Sequence, residues 1–336
     1  MVKARKYVVK KYFDGVAKRS DYEIVEYELP PLKDGDVLVK TEWVSVEPYL
    51  RYQSRTQPLP YDQFSYQVGI VEQSKDPNYP VGSRIVSHKG WCDYAVINKA
   101  KDVPNHHLDV TYKLPDLKGM SPSIALGAVG MPGLSAYFAF LEVCQPKAGE
   151  TVVVTGAAGA VGTVVGQIAK MKGCKVIGFA GSDDKVKWLE KELGFDKAFN
   201  YKTADVQKEL KAAAPNGVDC YFDNVGGEIS SKIIDQMNHR GRAVACGNIS
   251  SYNAKPTQQP KDTILNAILL NELRIEGFHI RSYLDRWPEA IEQMITWIKN
   301  GHLKPTEHVT VGFDKIFDAF EGMLAGENFG KAVVKV

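Results

Sequence analysis

The run Gly156-Ala157-Ala158-Gly159-Ala160-Val161-Gly162 is the part of the chain best suited to hold a phosphate. Glycines at this spacing let a backbone turn tightly, bring N–H groups near a pyrophosphate and pack a helix close to its sheet. The helix N-terminus adds a dipole that favours negative charge. The apolar stretch Thr151–Thr155 precedes the turn, Val161–Met171 carries a helical pattern, and Lys175–Phe179 reads as a second strand. This strand–turn–helix–strand unit spans about 30 residues, the length of a dinucleotide-binding βαβ unit. Its G-x-x-G-x-x-G spacing departs from G-x-G-x-x-G, because Ala158 stands at the central glycine position. A tight turn with no ligand is the plainer alternative; placement within a βαβ unit favours the dinucleotide.

The end of the second strand selects the nucleotide. NAD sites place an acid about 20 residues on, gripping the ribose hydroxyls. Here the strand ends Val176-Ile177-Gly178-Phe179-Ala180-Gly181-Ser182, and Asp183 and Asp184 are followed at once by Lys185. A small residue, a hydroxyl and a lysine suit the 2′-phosphate of NADP(H), which a carboxylate would repel. Ser182 is equally placed to cap the next helix, and Lys185 to be a solvated surface charge.

Other chemistries lack their residues. No cysteine precedes Cys92, none of the five cysteines forms a C-x-x-C pair, and His106 and His107 are adjacent in a polar loop. A zinc site drawing on three converging protein ligands is therefore not expected. No G-x-S-x-G elbow is present, which argues against an acyl-transfer hydrolase. With 42 basic and 40 acidic side chains the net charge is +2, giving no reason to expect nucleic acid. Dispersed cysteines suit a reducing, cytosolic setting. The N-terminal run MVKARKYVVKKYF has too short an apolar core for a signal peptide, and no stretch reaches the ~18 apolar residues of a membrane span. The sequon Asn248-Ile249-Ser250 is taken as accidental on that basis.

The elements that must position the glycine turn follow from the wider pattern. At 336 residues the chain suggests two domains. Up to about Pro122 it reads as short β segments broken by turns, among them Val37–Thr41, Gly82–Val86 and Trp91–Val96, a partly barrel-like β domain. A helical stretch around Leu134–Glu142 follows Gly130-Met131-Pro132-Gly133. From Thr151 strands and helices alternate: a helix at Asp184–Glu192, a strand at Lys197–Tyr201, a helix near Val206–Ala213 and a strand at Val218–Phe222. A helix at Ile229–Met237 and strands at Arg242–Cys246 and Leu273–Ile280 continue the series. Such alternation predicts a doubly wound parallel α/β sheet. The tail returns to β character at His308–Phe313 and Lys331–Val336, around a helix at Lys315–Leu324, and is expected to fold back onto the first domain. The expected division is 1–122, completed by 304–336, and 123–303.

Over nearly its whole length the chain resembles the zinc-free branch of the medium-chain dehydrogenase/reductases. Within that branch it is similar to the prostaglandin reductase 1 family, which includes leukotriene B4 12-hydroxydehydrogenase, 15-oxoprostaglandin 13-reductase and alkenal double-bond reductase. The resemblance rests on Val46-Glu47-Pro48-Tyr49-Leu50-Arg51, Ala128–Tyr137, Gly159–Gly162, Phe199-Asn200-Tyr201-Lys202, Tyr221–Gly227, Ile249–Asn253 and Asn328-Phe329-Gly330-Lys331. It implies a Rossmann domain beside a GroES-like β domain, a homodimer, and hydride transfer from NADPH to the β-carbon of an α,β-unsaturated ketone or aldehyde. It also implies that Lys185 and Tyr201 contact the 2′-phosphate end, and that Asn224 and Asn328 bind along the cofactor. Cys246 is counted with the cofactor-binding residues. Met131 would lie near the nicotinamide, Tyr49 in the substrate pocket, and Tyr252 beside the nicotinamide ribose and the reacting carbonyl. Glu47 and Leu50 replace the family's more usual Asp and Met, and Asn105–Leu114 looks like a loop of altered length. Both departures lie near the expected substrate mouth, so they bear on substrate preference and not on the cofactor.

Hydride addition to an enone leaves negative charge on the carbonyl oxygen, and a donor placed there contributes about 3 kcal/mol. Tyr252 is the candidate donor, together with the ribose hydroxyl of the cofactor; water or a relayed proton would quench the α-carbon. Read without the family, Tyr252 is a loop tyrosine, Met131 core filler, Tyr49 a core aromatic and Asn328 a turn cap. A quinone reductase of the same superfamily and a non-catalytic NADPH-binding protein are the alternatives.

Overall fold

The computed structural model describes residues 3–55, 57–98, 110–253 and 264–336. His106 and His107, and residues 105–109 of the loop expected to differ in length, lie outside the described residues. The chain divides into two compact units: Met1–Leu126 with Glu307–Asn328 and Ala332–Val336, and Gly127–Thr306 with Phe329–Lys331.

The first unit is antiparallel. Its larger sheet runs in the order Glu307–Val311, Lys331–Lys335, Val37–Ser45, Gln67–Ser74, Arg84–Ser87 and Tyr112–Lys113, with Tyr94–Ile97 also paired to Val37–Ser45. The smaller sheet sets Lys3–Val9 between Tyr22–Glu28 and Tyr61–Asp62. The basic N-terminal run is thus a strand. Tyr7 and Val9 alternate into the core while lysines face out, the period-two pattern of a half-buried strand. The core gathers on Trp91, 1% exposed, whose ring meets Tyr7, Tyr22 and Phe320 and whose Nε1 donates to the Ser45 carbonyl at 3.2 Å. The strand expected over Trp91–Val96 starts only at Tyr94, because Gly90, at φ +89°, turns the chain so that Trp91 enters this core. Val37–Thr41 extends to Ser45, and Gly82–Val86 begins at Arg84, after a turn at Gly82 with φ +85°.

The second unit carries an all-parallel six-stranded sheet. The order is Lys197–Asn200, Lys175–Ala180, Thr151–Thr155, Val218–Asp223, Met237–Ala245 and Arg274–Gly277. Numbered along the chain this is 3-2-1-4-5-6, the doubly wound Rossmann order, whose ligands lie at the carboxyl ends where the order reverses. That switch point falls between Thr151–Thr155, which runs into Gly156, and Val218–Asp223, which runs into Asn224. All five residues of Thr151–Thr155 are buried, as a central parallel strand requires.

Several elements differ from expectation. Leu134–Glu142 is a helix at Met131–Phe138 that widens into a π-helical turn at Ala139–Cys144. Its terminal carbonyls are met by side chains distant in sequence: Arg274 donates to the Val143 carbonyl, and Arg242 to those of Cys144 and Gln145. Ile229–Met237 is helical over Gly227–Ile234, and Met237 already opens the next strand. The strand expected over Leu273–Ile280 is confined to Arg274–Gly277, and Ile280–Arg286 coils into a 3-10 helix. Among the described residues the longest helix is Trp287–Lys299, which is absent from the expected series. It buries Trp287, Ala290, Ile291, Met294 and Ile295, one face at helical spacing, with Pro288 in its first turn. Among the described residues no helix is long and apolar enough to cross a membrane, and no three His, Cys, Asp or Glu side chains are grouped to hold a metal ion.

Candidate functional site

The glycine turn is shaped by close approach. Gly156 sits at φ +59°, and a Cβ there would lie 3.2 Å from the Asn224 Cβ across the switch point. A Cβ on Gly162 would overlap the Gly156 carbonyl oxygen and stand 2.7 Å from the Ala157 Cα, so only glycine lets Gly162–Met171 start this near the strand. Gly159 donates to the Gly156 carbonyl at 3.0 Å and accepts from Thr163 at 3.0 Å. Ala158, the departure from the common motif, is 3% exposed, and its carbonyl accepts the Gly330 N–H at 2.9 Å. The next two residues, Ala160 and Val161, are half-buried; Gly159 pairs with Gly330 in an isolated parallel bridge that turns the Ala160 N–H toward the Gly330 carbonyl, while the Val161 N–H donates no hydrogen bond among the described residues. The open Val161 N–H stands at the head of the ten-residue helix Gly162–Met171, where the helix dipole favours negative charge.

At the tip of Lys175–Ala180, Ser182 caps the helix Asp183–Leu193, accepting the Lys185 N–H at 3.4 Å. The capping role is thus real; it leaves the hydroxyl proton available to a ligand. Lys185 is 8% exposed, and its Nζ lies 5.7 Å from the centre of the Phe329 ring, which also meets Trp188 edge-on. Burial, and then the neighbouring Lys202 charge, hold Lys185 below the ordinary lysine range. Tyr201 approaches the same turn: a Cβ on Gly181 would lie 3.3 Å from its hydroxyl.

Across the switch point, Asn224 donates from Nδ2 to the Thr155 carbonyl at 2.8 Å, and its N–H bonds the Thr155 hydroxyl at 3.1 Å. The buried Asp223 carboxylate holds this loop, accepting the Val225 and Gly226 N–H groups at 2.9 Å, the Thr155 hydroxyl at 3.1 Å and the Ser230 hydroxyl. The segment after Met237–Ala245 then lies along the loop. Cys246 and Gly247 donate to the Asp223 carbonyl, Ile249 to Asn224 and Ser250 to Val225, and Tyr252 closes a turn onto Ile249 at 3.2 Å. Cys246 keeps some accessible area, yet protein surrounds its sulfur closely. Burial, with the Asp223 charge, pushes the thiol up to about 12, so it stays neutral.

The second unit therefore brings together Gly156, Gly159, Ala160, Val161, Gly162 and Asn224, with the Cys246–Tyr252 segment bonded to the Asn224 loop. Ser182, Lys185 and Tyr201 gather at the tip of the neighbouring strand. Met131 opens the helix Met131–Phe138 in the same unit, its carbonyl accepting the Ser135 hydroxyl at 2.8 Å. Tyr49 and Asn328 belong to the first unit. Tyr49 opens the short helix Tyr49–Gln53, and its hydroxyl bonds His88 Nε2 at 3.2 Å. Asn328 directly precedes the Phe329–Lys331 segment that docks on the glycine turn. Sequence reasoning assigned no role to Thr155, Asp223 or Gly330. A hydroxyl ending one central strand and a carboxylate ending the next were the available signals for the first two.

Two family models match the chain: one described as zinc-binding dehydrogenase over residues 160–299, and one described as N-terminal domain of oxidoreductase over 5–104. Prostaglandin reductase 1 of Bos taurus is 44% identical, with all of both chains covered. The NADP(+)-dependent 2-alkenal reductase of Nicotiana tabacum is 37% identical over 100% of this chain and 99% of its own. The structure of CurA from Vibrio vulnificus in complex with NADPH superposes with a TM-score of 0.90 at 32% identity, covering 99% of each chain. The chain belongs to the zinc-free medium-chain dehydrogenase/reductases, in the family of prostaglandin reductase 1.

Proposed function

We propose that this protein uses NADPH to reduce the carbon–carbon double bond of α,β-unsaturated ketones and aldehydes. The observation that carries the reading is full-length identity of 44% to a prostaglandin reductase. The site fits the cofactor on its own terms. Gly156 and Gly162 keep the turn clear of side chains, the Val161 N–H stands open, and the buried Lys185 beside Ser182 supports a 2′-phosphate there.

Bound there, NADPH supplies a hydride to the β-carbon of the substrate. The protein's residues orient and stabilise. Ala160 and the Val161 N–H would face the pyrophosphate, and Ser182, Lys185 and Tyr201 the 2′-phosphate. Asn224, Cys246 and Asn328 would line the length between. The Tyr252 hydroxyl would donate to the substrate carbonyl as its oxygen gains charge, a contribution of about 3 kcal/mol. Met131 and Tyr49 would contact substrate, and water would protonate the α-carbon.

The test is product identification after incubating purified protein with NADPH and a panel of enones, enals and quinones. Saturated ketones and aldehydes are expected. No NADPH consumption with any enone or enal would overturn the reading, and reduced quinones alone would replace it with a quinone reductase.

Two finer readings accompany this one. Five free cysteines support a reducing, cytosolic setting. Among the described residues the outer strand Arg274–Gly277 bonds on one side only within its sheet, and Leu265, Leu269 and Leu270 beside it in sequence are 70%, 75% and 76% exposed. An open edge with bare leucines supports a homodimer, which light scattering would register as twice the chain mass.

A further inference from the structure

The strand Lys197–Asn200 ends in a turn built around one side chain. Asn200 Oδ1 accepts the Lys202 N–H at 3.1 Å, and the Asn200 carbonyl accepts the Thr203 and Ala204 N–H groups at 3.1 and 2.9 Å. The other end of the same amide, Nδ2, donates to Asp183 Oδ1 at 2.8 Å. Asn200 thus sets the backbone that carries Lys202 and also engages the carboxylate that opens the helix Asp183–Leu193.

Lys202 reaches the turn that carries Ser182. A Cβ built on Gly181 would lie 3.5 Å from Lys202 Cε, beside the Tyr201 hydroxyl. Lys202 is also near enough to Lys185 to weaken that residue's hold on its proton. Two ammonium groups brought to one small-residue turn repel each other, and a phosphate dianion between them removes that cost. Asp183 is the acid nearest the place where NAD sites keep a ribose-binding carboxylate. Its bond to Asn200 occupies that carboxylate.

We propose that Lys202 is a second cation of the 2′-phosphate subsite and sets the preference for NADPH over NADH, with Asn200 as its positioning residue. The inference rests on the NADPH reading above. Lys185 lies buried under Phe329 and supplies a fixed charge; Lys202 is exposed and closes on the phosphate from the solvent side.

The test compares adenosine 2′,5′-bisphosphate with adenosine 5′-monophosphate by calorimetry on the full chain. The wild type should bind the bisphosphate more tightly. Lys202→Ala should lose about tenfold for the bisphosphate and nothing for the monophosphate, the scale of one exposed charge-assisted hydrogen bond. Lys202→Arg should restore most of it. Asn200→Ala should reproduce the selective loss, and the double variant should lose no more than Lys202→Ala alone, because Asn200 acts through Lys202. An unchanged bisphosphate affinity in Lys202→Ala, alongside a loss in Lys185→Ala, overturns the proposal and leaves the NADPH reading standing. Equal losses for both ligands also overturn it, as does full additivity of the two variants for the role of Asn200. A wild type without preference for the bisphosphate removes the NADPH reading itself.

Discussion

The Gly330 N–H donates to the Ala158 carbonyl oxygen at 2.9 Å, and this bond clips a segment from the far end of the sequence onto the glycine turn. Gly330 sits at φ +65°, and a Cβ there would overlap the Thr306 carbonyl oxygen and lie 2.8 Å from its carbon. Gly330→Ala should cost about 1–3 kcal/mol through backbone strain and lost packing. Urea unfolding followed by tryptophan fluorescence should show the lower midpoint, and NADPH affinity should fall with it. An unchanged midpoint would mean the clip carries no strain penalty.

Asp223 is the fixed point of the opposite wall. Asp223→Ala would leave the Val225 and Gly226 N–H groups unmet, at about 1–3 kcal/mol for each that stays buried. The loop carrying Asn224 should loosen, raising KM for NADPH by about tenfold or more while kcat at saturation changes less. Asp223→Asn keeps one acceptor oxygen and should fall between. Steady-state kinetics in both substrates separates these outcomes.

Tyr252 carries the chemical expectation. Tyr252→Phe should lower kcat by about 100-fold, the scale of one lost oxyanion donor. The Kd for NADPH, measured by fluorescence, should not move. An unchanged kcat would remove Tyr252 from the reaction.

Burial, aided by Asp93 and Asp62, pushes the Cys92 thiol from 9.0 up to about 12. The folded protein therefore keeps this proton after the unfolded chain has released it. Below about pH 9 both states hold it and the group has no effect; above that, stability falls as pH rises, by about 1.4 kcal/mol per unit from this thiol. Cys92→Ala should flatten the decline between about pH 9 and 10.5 in denaturant titrations. Identical slopes would show that the thiol ionises equally in both states.

The parts of the site legible in the sequence are those governed by neighbours in the chain. The glycine turn announces itself because Thr151–Thr155 and the helix from Gly162 flank it directly. The helix Val206–Ala213 is equally local, with Asp205 accepting the Gln207 and Lys208 N–H groups as its cap. What escaped depends on partners far away. The π-helical turn at Ala139–Cys144 is capped by Arg242 and Arg274, which lie about 100 residues or more along the chain, and nothing near residue 140 encodes that partnership. The family resemblance marks Asn328–Lys331, but the bond from Gly330 to Ala158 joins positions far apart in the chain and has no local signal. Ser182 is instructive in a different way: capping and phosphate binding ask for the same hydroxyl in the same place, so residue type could not separate them.

The clip also bears on how such a protein can be taken apart. The dinucleotide-binding unit runs from Gly127 to Thr306 and resumes for three residues at Phe329, between two stretches that belong to its neighbour. A chimera cut at Gly127 and Thr306 would transplant the sheet, the turn and both strand ends. It would leave behind Gly330, which closes the Ala158 carbonyl, and Phe329, which covers Lys185. A graft of the contiguous block alone would lack both contacts, so moving this unit intact takes a discontinuous cassette.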